Sequence, residues 1–287
     1  MSFYQTALLL GFAYGALALG IFISMRIFNI PDITTDGSFT LGGAVTAVLT
    51  LHWMPPLLAL PVAFACGTLA GMVTGWIHTR LKVNALLAGI LVTSALYSIN
   101  LAIMGRSNLP LFGSPTLFTT LSLPVGSNTN QLIVLTSIIL VITFLIGYLL
   151  RTDFGLAMRA TGNNEHMIRS LGVNTDRMKI IGLGLANGLT ALSGYLITNV
   201  QGFADINMGI GIVLLGLGAV MIGEIFSRAM LLRSITGQMI SVVIGSIVFR
   251  LLLGAALTVG IDPLYLKLVV AVFVLITVSL PNLRRTA

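Results

Sequence analysis

The chain has 287 residues, of which 56% are apolar and only 8% charged, with a net charge of +7 and a mean hydropathy of +1.03. Soluble domains carry about a quarter charged residues, so this composition excludes an aqueous globular surface. The basic excess reads as a topology signal before it reads as a nucleic-acid patch, and no nucleic-acid partner is expected.

The length suits about eight to ten spans of roughly 20 residues, and 1–287 is read as one integral membrane domain. The first charge is Arg26, so the opening apolar run lacks the basic start of a signal peptide and is read as a retained span. Uncharged runs then predict nine membrane-crossing or re-entrant helices: Phe3–Met25, Gly37–His52, Leu57–His78, Val83–Met104, Gln131–Leu150, Ile180–Val200, Met208–Ile225, Ile235–Ala255 and Leu264–Leu280. The expected fold class is an all-α polytopic membrane protein with two discontinuous segments. Cys66, the single cysteine, can form no intramolecular disulfide and reads as a small core residue.

Placing the N-terminus outside and the C-terminus in the cytoplasm puts Arg26, Arg80, Lys82, Arg151, Arg159, Arg169, Arg177, Lys179, Arg228, Arg233, Arg284 and Arg285 on the cytoplasmic side, 12 of the 15 basic residues. That is the distribution the positive-inside rule demands. Arg250 and Lys267 lie near the outer ends of their spans, where they can snorkel to the interface. An arginine facing a central pathway would instead hold a substrate carboxylate. Glycines at Gly67/Gly71/Gly75, Gly11/Gly15 and Gly184/Gly188 form small faces that let helices approach closely, either within the chain or across a dimer seam.

Two stretches interrupt the apolar pattern: Asn29 to Gly43, which includes Asp32 and Asp36-Gly37-Ser38, and Gly202 to Glu224, which includes Asp205, Gly211 and Gly216-Leu217-Gly218. Irregular backbone at membrane depth persists only where protein buries it or a cavity is lined by it, and transporters place such breaks in pairs around the solute path. The alternative is two loops at the membrane face.

The segment Arg151–Lys179 holds eight of the chain's 23 charged residues. Gly162 is expected to break the preceding helix, and Asn163 or Asn164 to cap a new one. Glu165 and Arg169 then pair at i, i+4, Gly172 supplies a left-handed stop, and Asn174 or Thr175 caps the helix that re-enters the membrane. The product is a two-turn helix presenting Met167, Ile168 and Leu171, suited either to a groove in a partner protein or to the bilayer surface.

The run Gly155-Leu-Ala-Met-Arg159-Ala-Thr-Gly162-Asn163, followed by Ser170-Leu171-Gly172-Val173-Asn174, resembles the ATPase-coupling loop of bacterial ABC importer permeases of the branched-chain amino-acid, ribose and nucleoside family. Asn187-Gly188, Ser193-Gly194 and Gly202-Phe203 also look like family positions, and the Pro31–Phe39 segment is similar to a subgroup of unassigned or aromatic amino-acid permeases. The resemblance implies a non-catalytic permease subunit in the bacterial cytoplasmic (inner) membrane, moving a small polar solute (an amino acid, a nucleoside or a sugar). Its partners would be a cytosolic ABC ATPase dimer, a second permease copy forming a homodimer, and an extracytoplasmic solute-binding protein. ATP and Mg would be bound by the ATPase, with no cofactor in this chain. The sequence agrees independently, since it contains no Gly-x4-Gly-Lys-Ser/Thr phosphate loop. ATPase-coupling candidates are Gly155, Arg159, Gly162, Asn163, Asn164, Glu165, Met167, Ile168, Leu171 and Gly172.

For the substrate pathway the candidates are Asp36, Ser38, Phe39, Tyr97, Asn100 and Asn187, polar or aromatic residues near the interruptions. An ion-coupled secondary transporter is the alternative, but it commonly needs an intramembrane carboxylate or histidine, and only Asp36 and Glu224 come near. No metal-ligand spacing or nucleophile motif supports an enzyme.

Overall fold

A computed structural model describes residues 3–283 apart from 53, 123, 125, 233, 261, 263 and 264; Arg233, Leu264, Arg284 and Arg285 therefore lie outside the described residues. The first span is built from α1 (Phe3–Ala13), α2 (Gly15–Ile21) and a π-helical run Phe22–Ile27, the looser hydrogen bonding that appears at special sites within helices. An extended link leads to α3 (Thr34–Leu51), followed by α4 (Pro56–Arg80), which starts on a proline, and α5 (Ala85–Met104), capped by the Asn84 side chain and stopped by left-handed Gly105. After the short strand β1 (Asn108–Pro110) come α6 (Leu117–Thr120), α7 (Ser127–Leu149), the short helices α8 (Asp153–Asn163) and α9 (Glu165–Ser170), and the long α10 (Thr175–Gln201). Strand β2 (Phe203–Asp205), α11 (Ile212–Ala229), α12 (Ile235–Thr258) and α13 (Leu266–Leu283) complete the chain.

Each of the nine expected spans coincides with a helix over most of its described length, residues 208–211 being turn instead, and among the described residues seven helices are long and apolar enough to cross a membrane. The expected span Gly37–His52 is α3, whose Thr34, Thr35, Asp36, Ser38, Thr40 and Thr46 make it too polar to count among them. In α13 the apolar stretch that qualifies is the shorter Leu266–Thr277.

Helix α10 is the axis of the bundle. Thirteen consecutive residues, 187–199, are buried, and α10 packs on α4, α3 and α2. The glycine faces explain the closeness. Side chains added at Gly71 or Gly75 would strike the backbone of Leu183 or Ile180, and side chains at Gly184 or Gly188 would strike Met72, Thr68 or Phe64. These two glycine faces therefore meet within the chain. Gly11 and Gly15 similarly admit α12, through Ile247 and Ser246.

Glycine also accounts for three corrections. Helix α3 runs unbroken through Gly42-Gly43, and α11 runs unbroken through Gly216-Leu217-Gly218 and Gly223-Glu224. Helix α8 likewise continues through Gly162 to Asn163. In each case glycine makes room for a neighbour: Ala191 carbonyl at Gly42, Ile21 at Gly216 and the Ile27 carbonyl at Gly162. The discontinuities that do exist are shorter, 28–33 and 202–211.

Candidate functional site

In the charged segment 151–179, Asn164 rather than Asn163 caps α9, its Oδ1 accepting from the Met167 amide at 3.1 Å. Gly172 stops the helix at φ +86°, and Asn174 caps α10 by accepting from the Arg177 amide at 3.0 Å. Glu165 and Arg169 pair at 3.1 Å as expected from their spacing. The structure adds Lys179 to Glu165 at 2.6 Å and Arg169 to Asp176 at 3.2 Å, so the base of α10 clamps the short helix. Burial raises the Glu165 carboxyl, but the Lys179 hydrogen bond and charge, with Thr175 and Arg169, outweigh it and hold the group below its ordinary range.

No residue of α9 is buried. Met167 is 59% and Leu171 67% exposed, while Ile168 is half-buried. Gly155 and Gly162, in contrast, face inward: Gly155 lies against Leu149 and Leu150, and Gly162 against the Ile27 carbonyl, with its own carbonyl accepting from Asn29 Nδ2 at 3.2 Å. Arg159 and Asn163 line a polar recess with Arg26, Asn29 and Gln238.

Within the membrane, the interruption 28–33 carries a polar cluster around Asp32. Its Oδ2 accepts from Asn187 Nδ2 at 2.6 Å and its Oδ1 from the Thr34 amide at 2.9 Å. Ser38 Oγ donates to Asn187 Oδ1 at 2.7 Å, and the Thr34 and Thr74 hydroxyls lie 2.8 Å apart. The sequence reading put Ser38 and Asn187 among the candidates but passed over Asp32, which is 2% exposed. An Asx turn into the first residue of a helix was the available signal. The expectation that only Asp36 and Glu224 approach the membrane interior is thereby corrected. Glu224 instead pairs with Arg26 at 3.0 Å and Arg228 at 3.5 Å, near the C-terminal ends of their helices.

Asp36 joins the two interruptions. Its carboxylate accepts from the Gly211 amide at 2.9 Å and the Val213 amide at 3.1 Å, capping α11 from another helix. Phe39, one turn on, is fully buried and stacks on Tyr14 with centroids 5.9 Å apart. Asn100 Nδ2 donates to the Gly37 carbonyl at 3.2 Å, whereas Tyr97 is 48% exposed and points out of the bundle. Asp36, Ser38, Phe39, Asn100 and Asn187 therefore cluster around α3, and Tyr97 stands apart. Between α5 and α6 on one side and α10 and α11 on the other, β1 and β2 pair antiparallel, Asn108 opposite Asp205, a tie the sequence reading missed.

Fold and site together define a multi-pass permease, its polar residues gathered inside a helical bundle and many of its charges in the segment 151–179. The family described as "Branched-chain amino acid transport system / permease component" matches residues 3–279, and the chain belongs to that family. A tyrosine transport system permease protein of Clostridioides difficile is 36% identical over 93% of this chain and 87% of its own length. A ribose import permease of Haemophilus influenzae is 26% identical over 93% and 80% of the two chains. A probable branched-chain amino acid transport permease of Methanocaldococcus jannaschii is 29% identical over 64% and 62%. No solved structure matches significantly. The chain is thus the non-catalytic permease subunit of an ABC importer for a small solute, in the cytoplasmic (inner) membrane; a separate ATPase and a solute-binding protein complete such a system.

Proposed function

We propose that two copies of this chain form a homodimeric pathway for an amino acid with an aromatic side chain, and that ATPase closure reaches the pathway through α9. ATP and Mg bind to the ATPases, and the extracytoplasmic binding protein delivers the solute. The relative named for tyrosine transport supports the cargo. The observation that carries the coupling is a two-turn helix, too short to be stable alone in water, with Met167 and Leu171 exposed and its base clamped to α10 by ion pairs. A clamped helix with free apolar side chains can pass a push from a groove to the span behind it.

The test is the complex reconstituted in vesicles with its ATPase and binding protein. Tyrosine uptake should require ATP, and Met167→Asp with Leu171→Asp should abolish both ATPase co-purification and uptake while leaving the permease folded. Uptake driven by an ion gradient without ATP, or an ATPase that still co-purifies with the double variant, would reject the proposal.

A further inference from the structure

Arg250 lies inside the span α12, eight residues before its outer end at Thr258. At a rise of about 1.5 Å per residue this is about 12 Å of helix, a long reach for an arginine snorkelling to water. Its side chain does not take that course. The guanidinium carbon sits 4.4 Å from the centroid of the Tyr14 ring, and Nε is sealed from solvent with no hydrogen-bond partner. No carboxylate among the described residues forms an ion pair with Arg250; the ion pairs involve Arg26, Arg169, Lys179 and Arg228.

A cation held at membrane depth without a counter-ion is costly, and such residues mark functional paths. The ring face of Tyr14 offsets part of that cost, and it also holds the guanidinium in place. Tyr14 stacks in turn on Phe39, and Phe39 follows Asp36 by one turn of α3, where the two interruptions meet. Ser246, one turn before Arg250, is fixed to the Gly11 carbonyl at 2.9 Å, so the helix carrying Arg250 is locked against α1. Arg250 is thus a positioned, uncompensated charge at the end of an aromatic pair leading to the discontinuous segments.

We infer that Arg250 binds the carboxylate of the transported solute on its way through the permease. With Nε occluded, recognition falls to the two Nη groups, which can take both oxygens of a carboxylate at once. This inference rests on the amino-acid importer reading and adds to it a residue and a required chemical group: the solute must carry a free carboxylate.

Proteoliposomes holding the complete importer, with labelled L-tyrosine as probe, provide the test. Arg250→Gln should reduce uptake at least tenfold, and Arg250→Lys, which keeps the charge but loses the fork, should recover uptake to within about threefold of the original protein. Melting temperature and ATPase co-purification should be the same for both variants, which a purely structural role would not give. Unlabelled tyrosine should compete with uptake by the original protein in the same vesicles. If Arg250→Gln transports tyrosine as well as the original protein, or if the lysine and glutamine variants lose uptake equally, the assignment is wrong. If the original complex takes up no tyrosine, the importer reading fails first, an outcome distinguishable because it precedes any substitution.

Discussion

The Asp36 carboxylate spans two interruptions of the bundle by accepting the backbone amide of Gly211 at 2.9 Å while also accepting that of Val213 at 3.1 Å. The opening amides of a helix lack the usual i−4 partners, and a carboxylate from α3 takes those of Gly211 and Val213 and complements the helix dipole. Gly209 adds to the closeness, since a side chain there would strike the Asp36 carbonyl. Two segments 175 residues apart are thereby held as one joint. Asp36→Ala should lower stability by about 0.5–2 kcal/mol, the ordinary cost of a lost cap, and Asp36→Asn by less, because one acceptor oxygen remains. Thermal melting of the purified permease measures both, and equal melting of Asp36→Ala and the original protein would exclude the joint.

Asp32 and Asn187 make a stronger demand. Asp32 is fully enclosed, and its Oδ2 takes a 2.6 Å bond from Asn187 Nδ2, whose Oδ1 in turn takes the Ser38 hydroxyl. Asn187→Ala leaves both groups short of a partner, and each unsatisfied buried group costs about 1–3 kcal/mol. Asn187→Asp should be worse, since it places two carboxylates in one dry site. Yield of folded protein and melting temperature should fall in the order Asn187, Ala, Asp.

How much of this was legible in the sequence follows from distance along the chain. The caps, narrowed to Asn163 or Asn164 and to Asn174 or Thr175, the stop at Gly172 and the Glu165–Arg169 pair were readable because each is set by neighbours within four residues. The β1–β2 tie joins Asn108 to Asp205 through three-residue strands, too short for any periodic signal. The glycines of α3 and α11 were misread as breaks because glycine signals both a turn and a close helix contact, and only the partner helix decides between them. Asp32 and Asp36 share one polar run, and which of the two is enclosed depends on where α3 starts. Asp32 precedes that start and is enclosed.

Glu165 gives a pH dependence with a definite sign. Its carboxyl is held below its ordinary value of 4.5, since the Lys179 and Arg169 interactions outweigh its partial burial. A depressed carboxyl contributes stability that is present above the unfolded value and lost as pH falls through the folded one. Protease cleavage within 164–175 of the purified protein should therefore be slow and constant above about pH 5 and should accelerate as pH drops below 4.5. Glu165→Gln should cleave faster at neutral pH and lose this acid dependence. A pH response unchanged by Glu165→Gln would assign the effect elsewhere.

Gly162 and Leu171 separate the packed and exposed faces of the segment 151–179. A methyl group at Gly162 would meet the Ile27 carbonyl where the π-helical run ends, so α8 must lift from the first span and weaken the Asn29–Gly162 bond. Gly162→Ala should cost about 1–3 kcal/mol, the range for forcing atoms into a packed interior, and should lower the melting temperature whether or not the ATPase is present. Leu171 is 67% exposed, so Leu171→Asp should leave the melting temperature of the isolated permease within a degree or two. Its effect should appear only in the complex, as weaker ATPase co-purification. The two defects should then combine additively in the double variant, because sites acting on different equilibria do not couple. A Gly162→Ala protein that melts normally but cannot hold the ATPase would reverse the assignment and place Gly162 on the docking face.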